Sequence, residues 1–318
     1  MIPDDIKERL EKQHYKLCGN HSAVQICGWT KKSLLDKDSC YKQKFYGIKS
    51  HKCCQMTPAL NCQNRCTHCW RAIELNFPFQ KKADSPIKII NECVIARKKL
   101  LSGFGGNKKI NRKKFADAQI PGSFAISLFG EPTFYPKLAE LIKELRKQKK
   151  ISFLVTNGLL PEKILELKNK NLLPTQLYIS LLYPDEKIFR KVTNNTEKNS
   201  WKKYNETLDI VKKLNTRTVI RLTLIKDLNM EKEMLLNYSE LIRKASPLFI
   251  EIKSYMALGF SKKRLGHEKS PSHKEIRDYA KKLLKSLSEY SFINEQEDSK
   301  VVLLGKDKSR AKIQENEI

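Results

Sequence analysis

From Met56 onward, short apolar runs alternate with segments whose apolar residues recur at helical spacing. Ile90, Val94, Ile95 and Leu101 stripe a helix over Ile87 to Leu101, and Leu138, Leu141, Ile142 and Leu145 stripe another. Between and after them lie the runs Ser123 to Phe129, Ile151 to Thr156, Leu177 to Leu182, Val219 to Ile225 and Leu248 to Ile252. Each is short, apolar and bounded by turn residues, as a buried strand is. Leu208, Val211 and Leu214, then Met234 to Ile242, and last Ile276, Tyr279, Ala280, Leu283, Leu284 and Leu287 mark the intervening and closing helices. With a first strand just before Cys62, this makes about six strand–helix repeats. The pattern predicts an α/β fold, a parallel sheet curled into a partial (β/α)6 TIM-like barrel, two repeats short of closure. Reactive residues of such barrels sit where strands lead into helices. The loop from Cys62, the turn Gly130-Glu131-Pro132 and the turn Thr156-Asn157-Gly158 all fall there.

Charge adds a partner. Lys and Arg number 62 against 35 Asp and Glu in 318 residues, a formal net charge of +27. Such an excess suits a polyanion, nucleic acid above all, although a solvated lysine-rich surface produces the same balance. The Gly-rich basic connection 102–121, with Lys108 to Lys114, and the run Lys262-Lys263-Arg264 are the candidates for gripping phosphates. The first ten residues alternate acid and base, and no apolar run reaches about 18 residues. A cytoplasmic chain without membrane contact is expected, and its tail from Lys306, being polar, is expected to be disordered.

Cysteines change the picture most. There are nine, an odd number unlike a secreted disulfide scaffold, and metal ligation is the expected use in a reducing compartment. Cys62, Cys66 and Cys69 lie within eight residues. Three thiolates on one loop can hold an iron–sulfur cluster and leave one iron open for chemistry. Zinc competes, but its ribbons and fingers supply a second ligand pair, and His68 between two ligands cannot easily be a fourth. Cys27, Cys40 and Cys53 are each separated by twelve residues, a spacing open to a second metal site or to buried thiols acting as small apolar side chains.

The cysteine loop together with Gly130-Glu131-Pro132 resembles the radical S-adenosylmethionine superfamily. The resemblance implies that Cys62, Cys66 and Cys69 ligate a 4Fe-4S cluster whose open iron takes the methionine group of S-adenosylmethionine. It further implies that Gly130, Glu131 and Pro132 meet the methionine amine, that His68 lies near the adenine, and that Asn157 and Ser180 serve ribose or carboxylate. The segments Cys40 to Ile48, Gln55-Met56-Thr57-Pro58, Leu228-Asn229-Met230 and Glu251 to Gly259 closely resemble the archaeal tRNA 4-demethylwyosine synthases, across most of the chain. That likeness implies a second 4Fe-4S cluster on Cys27, Cys40 and Cys53, with Cys54 an adjacent alternative to Cys53. It makes Lys42 the residue that engages pyruvate, and N1-methylguanosine beside the anticodon of phenylalanine tRNA the substrate. A desolvated lysine has a depressed pKa, which suits a nucleophile. The flavodoxin-like domain of eukaryotic relatives has no counterpart here, so an external donor such as flavodoxin or ferredoxin is expected, with a monomeric enzyme. Residues 1–45 are read as an extension carrying auxiliary ligands, 46–290 as the core, and 291–318 as a C-terminal extension. The rival readings are a radical tRNA methylthiotransferase, disfavoured by the short lead, and a non-catalytic iron–sulfur or RNA-binding protein.

Overall fold

The computed structural model describes residues 4–75, 77 and 82–318. Ten strands form one sheet: β1 (Lys16–Cys18), β2 (Ser22–Gln25), β3 (Cys53–Thr57), β4 (Ser123–Ile126), β5 (Ile151–Thr156), β6 (Gln176–Leu181), β7 (Arg217–Leu224), β8 (Phe249–Ser254), β9 (Ser291–Gln296) and β10 (Val301–Gly305). Their order across the sheet is β1-β2-β3-β4-β5-β6-β7-β8-β10-β9. The pairs from β3 to β8 are all parallel and supply the six strands of the partial barrel. The hairpins β1–β2 and β9–β10 extend both edges antiparallel. β1 and β2 are too short, and β9, Ser-Phe-Ile-Asn-Glu-Gln, too polar, to stand out in the sequence, whereas β10, Val-Val-Leu-Leu-Gly, has the apolar run of a buried strand and was missed. Among the described residues no helix is long and apolar enough to cross a membrane.

Strand alternation divides the side chains. On β6, Leu177, Ile179 and Leu181 join the core beneath the outer helices, whereas Tyr178 packs inside the barrel. The same rule sends Ile220, Leu222 and Leu224 of β7 outward and leaves Val219 within. The helix Tyr41–Tyr46 enters the barrel as a plug, burying Tyr41, Phe45 and Tyr46 against Phe153, Tyr178 and Phe249. Gly47, with φ +82°, ends this helix in the left-handed conformation that glycine adopts without penalty.

One expectation fails. The tail is not disordered: Ala311 is buried, Ile313 packs on the plug cluster, and its N–H donates to the Tyr46 carbonyl at 3.1 Å. Buried Arg217 fastens the tail through the carbonyls of Arg310 (2.6 Å) and Ala311 (2.7 Å) and an ion pair with Glu317 at 3.2 Å. Its mean polarity hid two apolar anchors and the cation that receives it. The Gly-rich basic connection 102–121 is itself folded. It contains the helix Arg112–Ala118 and packs Ile110, Phe115 and Ala118 against Ile26 and Leu34.

Candidate active site

At the carboxyl ends of the parallel strands lies a cavity of about 600 Å3, a size usual for small-molecule sites. Cys62, Cys66, His68, Cys69, Gly130, Glu131, Asn157 and Ser180 line it, together with Gln55, Arg71 and Arg221. Pro132 is buried and absent from its wall, starting the turn Pro132–Phe134 behind it.

The cysteine loop has little regular structure of its own and is held from both sides. On one side the N–H groups of Arg65 and Thr67 donate to the carbonyls of Thr193 (2.8 Å) and Val192 (3.0 Å), and Asn195 donates to the side chain of Asn64 at 2.6 Å. On the other, Arg264 donates to the carbonyls of Thr67 (3.1 Å), Cys69 and Arg71 (3.1 Å) and pairs with Glu74 at 2.8 Å. Arg264 therefore clamps the loop and does not offer itself to phosphate, as the basic run had suggested. Gly259 approaches too: at φ +51° a side chain there would collide with the Trp70 carbonyl.

The Gly-Glu-Pro turn braces the start of the loop. Gly130 has φ +61°, and a Cβ on it would stand 2.7 Å from the Asn61 carbonyl, so only glycine fits. Glu131 donates its N–H to that carbonyl at 2.8 Å. Its buried carboxylate accepts from the Thr133 hydroxyl (2.7 Å) and the Asn157 N–H (2.8 Å), tying the end of β4 to the end of β5. Burial pushes its carboxyl up, while these donors oppose the shift. Asn157 reaches the loop itself, with Nδ2 3.8 Å from Cys62 Sγ and 3.3 Å from Gln63 Oε1. Ser180 lies on the cavity wall, and its carbonyl accepts from Tyr204 at 3.1 Å.

The donor set fits a cluster. Cys62 opens to the cavity but is otherwise surrounded by protein, and burial pushes its thiol up to about 12, with nearby Glu131 adding to the shift. Cys66 rises well above the ordinary thiol range through burial and its two neighbouring cysteines. Thiols on a cavity wall whose ionisation burial and neighbouring charge oppose, as at Cys62 and Cys66, need a cationic centre to hold them as thiolates. Among the described residues no three ligand side chains close on a single point as around one ion, whereas an iron–sulfur cube takes its thiolates at separate corners. His68 is neutral: burial, then Arg264 and Arg71, lower its pKa to about 4, and its Nδ1 is buried without a partner.

A second triad stands around the plug. Cys27 caps the helix Gly28–Leu34, its sulfur accepting from the Thr30 N–H at 3.4 Å. Cys40 immediately precedes the plug helix, and its N–H donates to the Ser50 hydroxyl at 2.9 Å. Cys53 opens β3. Burial pushes the Cys40 thiol up to about 12, Cys27 adds to the rise, Lys42 opposes it and Cys53 adds a smaller part, so the three cysteines lie within electrostatic reach of one another. Alternation along β3 separates the neighbours: Cys54 is fully buried in the outer core with Cys18 and Cys93, whereas Cys53 feels Cys27 and Lys42.

Lys42 is 8% exposed, with Nζ 4.2 Å from the Phe153 ring centre and 4.7 Å from that of Tyr178. Burial lowers its pKa, and Arg221 lowers it further. Glu251, fully buried, accepts from Tyr46 (2.7 Å), Arg221 Nε (2.9 Å) and Tyr41 (3.1 Å). Burial would raise its carboxyl, but Arg221, Lys42 and Tyr46 outweigh that and hold it below the usual carboxylate range. Lys253 lies in the same charged interior, its pKa lowered to about 8 by burial and Arg221. Arg221 lines the cavity and donates to the Tyr41 hydroxyl at 2.8 Å, so one side chain reaches from the cavity wall into this charged interior.

The geometry now meets its relatives. Residues 56–238 match the radical SAM superfamily model, and residues 244–306 match the model for wyosine base formation. The S-adenosyl-L-methionine-dependent tRNA 4-demethylwyosine synthase of Pyrococcus horikoshii is 43% identical over 96% of this chain and 90% of its own length. This chain belongs to the radical SAM tRNA 4-demethylwyosine synthase family. The Methanocaldococcus jannaschii synthase is 40% identical, covering 96% of each chain. A solved TYW1 structure with a lysine–pyruvate adduct bound superposes with a TM-score of 0.86 at 40% identity, over 99% of both chains. The wyosine-formation segment contains Glu251, Lys253, Gly259 and Arg264, so in this synthase fold it both charges the barrel interior and clamps the cysteine loop. Arg71, Arg221 and Lys253 had not been singled out, and Arg264 had been read only as a phosphate contact. Arg221 and Lys253 sit in apolar strands, where a charge stands out; nothing in the sequence reveals the carbonyls that Arg264 finds.

Proposed function

We propose that this synthase-family chain condenses N1-methylguanosine, beside the anticodon of phenylalanine tRNA, with pyruvate to form 4-demethylwyosine. The observation that carries the reading is the placement of Lys42, a buried amine of lowered pKa beside the second cysteine triad and the Arg221 wall of the cavity. Cys62, Cys66 and Cys69 would hold one 4Fe-4S cluster, and Cys27, Cys40 and Cys53 a second. With the first cluster and S-adenosylmethionine held there, and an electron from an external donor such as flavodoxin or ferredoxin, the site would have the radical chemistry needed to activate the unreactive methyl group.

The chain's own residues do the placing. The neutral amine of Lys42 attacks the ketone of pyruvate, forming a Schiff base with loss of water, and its lowered pKa raises the neutral fraction. Arg221 offers positive charge to the carboxylate while Glu251 holds it in place. The backbone of Gly130 and Glu131, Asn157, Ser180 and neutral His68 shape the cavity for the methionine, ribose and adenine. Anticodon-loop bases are partly unpaired, so bringing the target base to the cavity costs less than from a duplex. Lys108, Lys109, Lys113, Lys262 and Lys263 are exposed and would supply positive charge to tRNA phosphates. Residues 1–45, 46–290 and 291–318 act as auxiliary extension, barrel and closing segment of one monomer.

The test supplies reduced enzyme with S-adenosylmethionine, carbon-labelled pyruvate and methylated tRNA. The expected result is a tricyclic guanosine carrying pyruvate carbon, with no product when pyruvate is omitted. Unlabelled tricyclic product, or no product at all from a chain holding its iron, overturns the reading.

A further inference from the structure

Arg97 is 0% exposed, on the helix Pro86–Ser102. It donates Nε to the Cys53 carbonyl at 3.2 Å, Nη2 to the His51 carbonyl at 2.6 Å, and Nη1 to the Ala118 carbonyl. All three acceptors are neutral. Among the described residues no carboxylate lies within ion-pair distance of it, whereas the barrel arginines Arg217 and Arg221 pair with Glu317 and Glu251. A guanidinium buried without an anion is costly, and a protein retains one where a counter-charge arrives. One of the three acceptors is the backbone of Cys53, a member of the second triad at the start of β3, so the guanidinium is fixed against the very peptide that carries a candidate ligand.

We propose that Arg97 is the positioning residue of the second cysteine triad, fixing the Cys53 peptide through its carbonyl fork and taking the cluster-bound thiolates as its counter-charge. This rests on the two-cluster reading above. It explains why the cation reaches Cys53 from behind β3, where no substrate can approach it. It also explains why the connection ending at Ala118 folds down here: its last helical carbonyl completes the fork. Loading the triad thus supplies an anion to a site already organised around a cation, and cluster binding and the order of this lobe are linked.

The experiment uses the full chain with Cys62, Cys66 and Cys69 replaced by alanine, so that only the second triad can report. In that background, anaerobic reconstitution of the native Arg97 protein is expected to yield about four irons per chain. Arg97→Met is expected to shift the cluster's midpoint potential downward, because a nearby cation favours the more negative reduced state. It is also expected to shrink the gain in Tm on loading. Arg97→Lys, which keeps the charge and loses the fork, is expected to hold the potential near native while losing iron to a chelator severalfold faster. If Arg97→Met does not fold, the Arg97→Lys chelation rate decides. Native potential, Tm gain and chelation rate in the variants overturn the proposal, and a generally structural arginine would lower apo and loaded Tm alike. A background protein that takes up no iron overturns the two-cluster reading itself and the proposal with it.

Discussion

Replacing Glu251 with glutamine preserves the shape of the side chain and removes the anion from the barrel interior. In the native protein one carboxylate receives Tyr46, Tyr41 and Arg221 and lies within reach of Lys42 and Lys253. In the variant Arg221 keeps its burial and loses its counter-charge, and one amide hydrogen pair must face a donor. Removing one partner of a buried pair costs about 3–5 kcal/mol. At about 2 °C per kcal/mol for a chain of this size, Tm should fall by about 6–10 °C, read by circular dichroism of the cluster-free protein at neutral pH. The pH dependence follows the sign of the shift. The folded carboxyl titrates below the unfolded one, so its stabilisation is present above the unfolded pKa and disappears as pH falls through the folded pKa. The native and variant Tm values should therefore converge in acid. Because Glu251 also supports the protonated form of Lys42, the variant's lysine should remain neutral, and trappable with pyruvate by borohydride, to lower pH. A Tm within about 1 °C of native across the whole pH range would refute this account of the interior.

Lys42→Arg should keep both clusters and abolish borohydride-trapped pyruvate and tricyclic product, as iron counting and mass spectrometry of protein and tRNA would show. Cys53→Ala should halve the iron, from about eight to about four per chain, whereas Cys54→Ala, on the opposite face of β3, should leave it unchanged. Gly130→Ala forces a left-handed residue onto the Asn61 carbonyl; a penalty of at least about 1–2 kcal/mol is expected, with weakened binding of S-adenosylmethionine by equilibrium dialysis. Arg264→Ala should speed loss of iron from the first triad to a chelator, and Arg264→Lys should restore only part, since a point charge cannot span three carbonyls.

The six parallel strands were legible because both faces of each are buried, and the apolar runs Ile151 to Thr156 and Leu177 to Leu182 leave little other choice. The first triad was legible because its cysteines are neighbours in the chain. Cys27, Cys40 and Cys53 were legible only through the family resemblance: thirteen-residue steps alone leave a metal site and buried thiols equally open, and it is the helix Tyr41–Tyr46 entering the barrel, with β3 starting beside it, that brings them near one another. The tail misled because composition averages over Ala311 and Ile313, and the basic run misled because Arg264 turns inward while Lys262 and Lys263 stay exposed.

By itself the sequence determined the strand–helix rhythm, the position of the Cys62 to Cys69 loop at a strand's end, and the Gly-Glu-Pro turn facing it. Each depends on residues close along the chain or on a period that packing enforces. Only the tertiary structure decided which cysteine of the Cys53–Cys54 pair faces the plug, that Lys42 is buried among rings, and that Glu251, Arg221 and Arg97 divide the charge around it. Those outcomes depend on which face of a strand meets which distant helix, and a buried charge acquires its meaning only from the partners that folding brings to it.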